Sequence, residues 1–89
     1  MSLVVQFAVY GALDGGDSNK ALAADVKARL QQLIETDGGV VPINNASFSD
    51  PDYGNVKHFG ACVVRDGVPH YFACQEGQTI NFNVAGGTN

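Results

Sequence analysis

An 89-residue chain with 45% hydrophobic and 16% charged residues has the composition of one globular domain, near the size below which a hydrophobic core rarely suffices alone. Five Lys and Arg against nine Asp and Glu give a net charge of −4. The basic residues are scattered, which argues against phosphate-backbone recognition and a polybasic membrane-surface role, and no apolar run approaches the ~20 residues of a membrane span.

Residues 3–10 predict the first strand. Leu3, Val5, Phe7 and Val9 fall on one face by strict alternation, and Val4, Gln6, Ala8 and Tyr10 on the other. Both faces are apolar, as in a strand covered on both sides. The same stretch lacks the basic leader of a signal peptide, so the expectation is a strand of an intracellular chain.

After a Gly- and Asp-rich loop at 13–17, Ser18 offers a helix cap. A helix is expected over 18–36, with Leu22, Val26, Leu30 and Leu33 in one stripe, Ala23 and Ile34 beside it, and Lys20, Lys27, Gln31 and Glu35 facing away. Gly38 and Gly39 supply the left-handed residue that stops it. Residues 40–43 form a short strand, placed at an edge because Pro42 cannot donate to a ladder.

Residues 44–56 are long and polar for a loop in so small a domain, with Phe48 and Tyr53 as the expected anchors. From 57 to 84 the chain predicts three strands in an antiparallel meander. Asp66-Gly67 is a strong two-residue hairpin turn, pairing Arg65 with Val68, Cys62 with Tyr71 and Phe59 with Cys74. Phe59, Ala61, Val63, Val68, Phe72 and Cys74 then share a dry face, and Ile80, Phe82 and Val84 alternate with Thr79, Asn81 and Asn83. The last residues, 85–89, are expected to fray.

The thiols and imidazoles do not converge. In this register Cys62 and Cys74 leave opposite faces, so neither a disulfide nor a shared zinc is expected, and Cys62 should be the more accessible thiol. A three-residue turn would pair Cys62 with His70 and His58 with Cys74, still roughly 13 Å apart along the strands. The polar loop holds hard oxygen groups of the kind calcium takes, but its spacing matches no EF-hand and turn chemistry accounts for the same residues. No cofactor is expected.

One ordered set of short motifs stands out: Tyr10-Gly11, Asp25-Val26, Asp50-Pro51, Gly54, Lys57, then Gly67 and Glu76-Gly77. Over residues 10–82 the order resembles a family of small uncharacterised β-rich domains, found alone or closing certain DnaJ-type co-chaperones. The chain has Lys27 where that pattern has Thr, and Val64-Arg65 where it tends to have Tyr. The resemblance implies a compact β-rich domain with a helix and assigns no catalytic residues.

The expected fold is a single α+β domain, β-α-β-β-β-β, with one helix on a mainly antiparallel sheet; a β-sandwich with a short helix is the alternative. The expected function is a non-enzymatic binding module for a protein or carbohydrate, contacted through Asn44, Asn45, Asp50, Asp52, Tyr53 and Asn55. Self-association over a second sheet face bearing Val4, Ala8, Cys62, Val64 and Tyr71 is one alternative, and a small thiol enzyme using Cys62 is another.

Overall fold

The computed structural model describes residues 2–88; Met1 and Asn89 lie outside the described residues. The fold is α+β. Strands β1 (Leu3–Leu13), β2 (Ala21–Asp25), β4 (His58–Arg65) and β5 (Val68–Gln75) build a four-stranded antiparallel sheet in the order β2-β1-β4-β5. A two-stranded ribbon pairs β3 (Val40–Pro42) with β6 (Thr79–Asn81). The main helix is α1 (Lys27–Asp37), and one short turn of helix, α2 (Asn45–Phe48), opens the polar segment.

The β4–β5 hairpin follows from its turn. Asp66 and Gly67 both take positive φ, 51° and 85°, which suits a two-residue turn matched to strand twist. The register is the expected one: Arg65 opposite Val68, Cys62 opposite Tyr71, Phe59 opposite Cys74. The two thiols are free and on opposite faces. Their exposure is the reverse of the expectation. Cys62 is buried, flanked in the sheet by Phe7 and Tyr71, whereas Cys74 lies near the end of β5 and is half-buried.

Strict alternation fails in β1. Val5 pairs with Val63, but Phe7, not Gln6, pairs with Cys62, so Gln6 is an extra residue in a β-bulge. Beyond it every side chain changes face. Val5, Ala8 and Tyr10 point into the core, while Val4, Phe7 and Val9 stand about half exposed on the other side. The strand is interior to the sheet, as expected, yet covered on one face only.

β2 flanks β1 only from Val9 to Leu13, so the edge at Leu3–Val5 needs another partner. Gln31 supplies it. Its side-chain amide accepts from the Val5 N–H at 2.8 Å and donates to the Leu3 carbonyl at 3.0 Å, as a neighbouring peptide would. Gln31 therefore faces the sheet, not solvent.

The expected helix over 18–36 begins nine residues late. Residues 18–20 form a 3-10 turn capped by Asp17, and Ala21–Asp25 pair with β1 as β2. Leu22 is consequently on a strand and 42% exposed. The Asp25 carboxylate accepts the Lys27 N–H at 3.0 Å and opens α1, and Gly38 at φ 70° closes it. The remainder of the stripe, Val26, Leu30, Leu33 and Ile34, is buried as expected.

The core lies between the inner sheet face and a layer made of α1, α2 and the β3–β6 ribbon. An aromatic chain runs through it from Tyr10 to Phe48, Phe59, Phe82 and Phe72, with ring centroids 4.7–6.3 Å apart. The expected three-stranded meander is not formed: β6 leaves β5 to pair with β3, because Val41 and Ile80 bury together. Phe82 is buried, but the chain turns there, leaving Val84 74% exposed; Val68, beside the hairpin turn, is also exposed. The C-terminal segment is tied down, not frayed. Gly87 exchanges two backbone hydrogen bonds with Tyr71, and Arg65 donates to the carbonyls of Phe82 and Ala85.

Replacing Gln31 by Leu should cost about 2 kcal/mol, near 1 kcal/mol for each lost hydrogen bond. Urea unfolding measures it, and an unchanged midpoint would count against Gln31 as the edge partner.

Candidate functional site

Two surfaces merit a functional reading: the polar segment 44–57 and the outer face of the four-stranded sheet.

The polar segment is held at one end of the core. The Asn44 side chain caps α2, accepting from the Ser47 N–H at 2.9 Å. Asn45 Oδ1 accepts from the buried Tyr10 hydroxyl at 2.6 Å. Arg29 Nε donates to the Ser47 carbonyl at 2.9 Å and fastens α1 to α2. Phe48 anchors the segment in the aromatic chain.

Lys57 organises the rest. It is 1% exposed, and its ammonium meets Asp50 Oδ1 at 2.5 Å and the Asn55 carbonyl at 2.6 Å. Its backbone N–H donates to Glu76 Oε1 at 2.9 Å. Lys57 is the buried member of this pair, while the Asp50 side chain keeps 28% of its exposure and faces the solvent edge. Asn55 Nδ2 donates to Asp52 Oδ1 and to Asp14 Oδ1, tying the segment to the turn after β1. Asp52 is buried, and its Oδ2 has no partner among the described residues.

Of the six candidate ligand-binding residues, then, Asn44, Asn45, Asp50, Asp52 and Asn55 are engaged with the protein itself. Tyr53 differs. It does not anchor the loop, as expected, but stands 91% exposed because Phe48 already fills the core position. It borders an open groove of about 590 Å³ with Asp50, Asn55, Lys57 and Glu76. Among the described residues no group of three or more His, Cys, Asp and Glu is arranged to hold a metal ion.

Burial, then the nearby charges of Glu76, Asp50 and Cys74, push the Tyr10 phenol up to about 12. Burial also raises the Cys74 thiol above its ordinary value. A nucleophilic thiol needs the opposite shift.

The outer sheet face is the larger apolar surface. By register it carries Val4, Phe7, Val9 and Leu13 from β1, Ala21, Ala23 and Asp25 from β2, His58, Gly60, Cys62 and Val64 from β4, and Pro69, Tyr71, Ala73 and Gln75 from β5. It is therefore apolar along most of its length and polar at the Asp25, His58 and Gln75 positions. Val4, Phe7, Val9, Leu13 and Tyr71 are each 41–50% exposed. Ala8, expected here, is 1% exposed in the core because of the bulge. Phe7 and Val9 are the residues that alternation alone misassigns, and nothing in their side chains announces the shift.

The relief of this face is uneven. Phe7 and Val9 form a ridge along β1. Beyond Val9, over β1 and between β2 and β4, lies a hollow of about 370 Å³ lined by Val9, Gly11, Leu13, Ala23, His58 and Gly60. Beside Phe7, over β4 and β5, a second hollow of about 460 Å³ is lined by Gln6, Phe7, Cys62, Val64, Pro69 and Tyr71. Gly11 is required in the first, since a Cβ there would sit 2.3 Å from the Leu22 carbonyl oxygen. Gly60 is not so constrained: its nearest neighbour would be Val9 Cγ2 at 3.9 Å.

No family model matches the chain, and neither does any curated protein or solved structure. The likeness to domains of DnaJ-type co-chaperones rests on the order of its motifs alone. Independently of that likeness, Lys57 binds Asp50 and Glu76, and both carboxylates act on Tyr10.

Because the folded-state pKa of Tyr10 is raised above 10.0, its neutral form stabilises the fold fully below about pH 10, and that contribution is lost as pH rises toward about 12. Urea midpoints followed through this window should fall in the wild-type chain. Tyr10→Phe should lose about 1 kcal/mol at neutral pH, for the Asn45 hydrogen bond, and show less of the alkaline fall. An equal fall in both chains would contradict the assignment.

Proposed function

We propose that the chain is a non-enzymatic interaction module whose contact surface is the outer face of the four-stranded sheet. The observation that carries this is the clustering of Val4, Phe7, Val9, Leu13 and Tyr71, all about half exposed, on one side of one sheet. Contiguous apolar patches of more than a few hundred Å² are uncommon on monomers and mark contact sites. Phe7 is the telling residue. Of the five phenylalanines, the other four build the core, and this one is presented to solvent. Among the described residues Asp25 is the only carboxylate on the face by register, its oxygen occupied in capping α1, and His58 the only imidazole on β4's part of it; no Lys or Arg of the described strands lies there. A protein surface of mainly apolar character suits such a face better than a nucleic acid or an anionic membrane.

The thiol-enzyme alternative finds little support. Cys62 is buried, and Cys74 is shifted away from the thiolate. A second binding reading has a specific observation behind it: the exposed Tyr53 ring beside a groove bearing Asp50, Asn55 and Glu76 offers a stacking platform with polar neighbours, which suits a carbohydrate.

A photoreactive benzophenone amino acid at position 7, and separately at position 53, tests the choice of surface in living cells. Protein adducts are expected from position 7 and not from position 53. Absence of any protein adduct from position 7 would overturn the reading, and a glycan-array signal lost on Tyr53→Ala would transfer it to the loop.

A further inference from the structure

We propose that the partner seated on the outer face is a second copy of this chain, packed face to face about a two-fold axis near Val9. The inference rests on the interaction reading above and goes beyond it by naming the occupant. Three observations support a homotypic contact.

The first is self-complementary relief. A two-fold interface requires that whatever a surface projects, the same surface must receive. Here the Phe7 ring projects from β1, and the hollow floored by Gly11, Gly60 and Ala23 lies on the same face, four residues further along that strand. A two-fold axis between ridge and hollow seats each Phe7 in the other copy's hollow in one operation. Gly60 has room for a side chain within its own fold, so the hollow is not filled by the chain that forms it.

Charge is the second. A chain of net charge −4 repels its own copy unless the contacting surfaces are nearly neutral. On this face the strands contribute one carboxylate, that of Asp25, already engaged by the Lys27 N–H, one imidazole, that of His58 at the rim of the hollow, and no Lys or Arg. A partner recruited by opposite charge would find little to pair with.

The third is size. With strands ~4.8 Å apart and ~3.3 Å per residue, the strands of 11, 5, 8 and 8 residues present a face of about 500 Å². Two such faces give about 1,000 Å² before side-chain relief is added, the size at which a specific interface becomes tenable. The result would be two sheets packed about 10 Å apart, with the helices on the outside.

Analytical ultracentrifugation of the purified chain tests this. The wild-type protein should sediment at twice the 9.3 kDa chain mass at micromolar concentration. Phe7→Lys removes the projection and Gly60→Val fills the hollow; each should weaken association by about 30-fold or more, with wild-type circular dichroism. Val40→Lys, at an exposed position on the ribbon away from the face, should leave the dimer intact. In the purified wild-type background, benzophenone at position 7 should crosslink to the peptide that contains Gly60 of a second copy, a readout that does not depend on either destabilising variant. A wild-type chain at 9.3 kDa even at a few hundred micromolar overturns the second copy as occupant. In that event, cellular adducts from position 7 to other proteins would leave the interaction reading standing, and their absence would remove both. A dimer that survives Phe7→Lys and Gly60→Val also overturns the proposal, since the interface would lie elsewhere.

Discussion

Gln6 adds one residue to β1 that β4 does not match, and from there to Leu13 each side chain sits on the face opposite to the one simple alternation assigns. The consequences run in both directions. Inward, the shift delivers Ala8 under α1 and sends Tyr10 into the core, where its ring meets Phe48 and its hydroxyl reaches Asn45. Outward, it presents Phe7 and Val9 to solvent. Without the extra residue Phe7 and Val9 would crowd the core, and Gln6, Ala8 and Tyr10 would lie on the outer face. The same end of β1 is held by a side chain in place of a strand, since Gln31 satisfies Leu3 and Val5 where β2 does not reach.

The inward consequence accounts for the polar segment. Tyr10 and Phe48 fasten its first half, and the buried Lys57 gathers Asp50 and the Asn55 carbonyl at its second. A lysine taken out of water needs such partners, because an ammonium left alone there costs several kcal/mol. The loop is therefore rich in Asn, Asp and Gly for its own sake: those groups answer one another, Lys57 and the orphan amides of a short helix. Tyr53 is the exception, and it gives the segment its single conspicuous exposed aromatic.

Legibility in the sequence followed the strength of local chemistry. The β4–β5 register was readable to the residue, because Asp-Gly demands positive φ at both turn positions. The α+β class, the Gly38 stop and the burial of Val26, Leu30, Leu33 and Ile34 were readable for similar reasons. The start of the helix was not. Ala21–Asp25 has good helix formers, and Leu22 falls in step with the stripe by coincidence; pairing with the far end of a long β1 overrides that propensity. The bulge left no trace, since Phe7, Ala8 and Val9 are all apolar and either register looks acceptable. The pairing of β6 with β3 is non-local, and alternation within Thr79–Asn81 says nothing of which neighbour it joins. For the candidate site, loop composition located a specifically folded segment. It could not tell side chains that face a ligand from those that face each other, nor foresee the exposure of Phe7.

The direction of Phe7 against that of Ala8 is the point on which the rest turns, and native-state thiol labelling measures it directly. Single cysteines placed by Phe7→Cys or Ala8→Cys, in a background of Cys62→Ala and Cys74→Ser, would be labelled at high dilution, where any self-association is relieved. The bulged strand requires the thiol at position 7 to react in the native state, well ahead of the thiol at position 8, which reacts only through unfolding. Equal rates at the two positions, or protection at 7 with ready reaction at 8, would contradict the register and with it the outer apolar face.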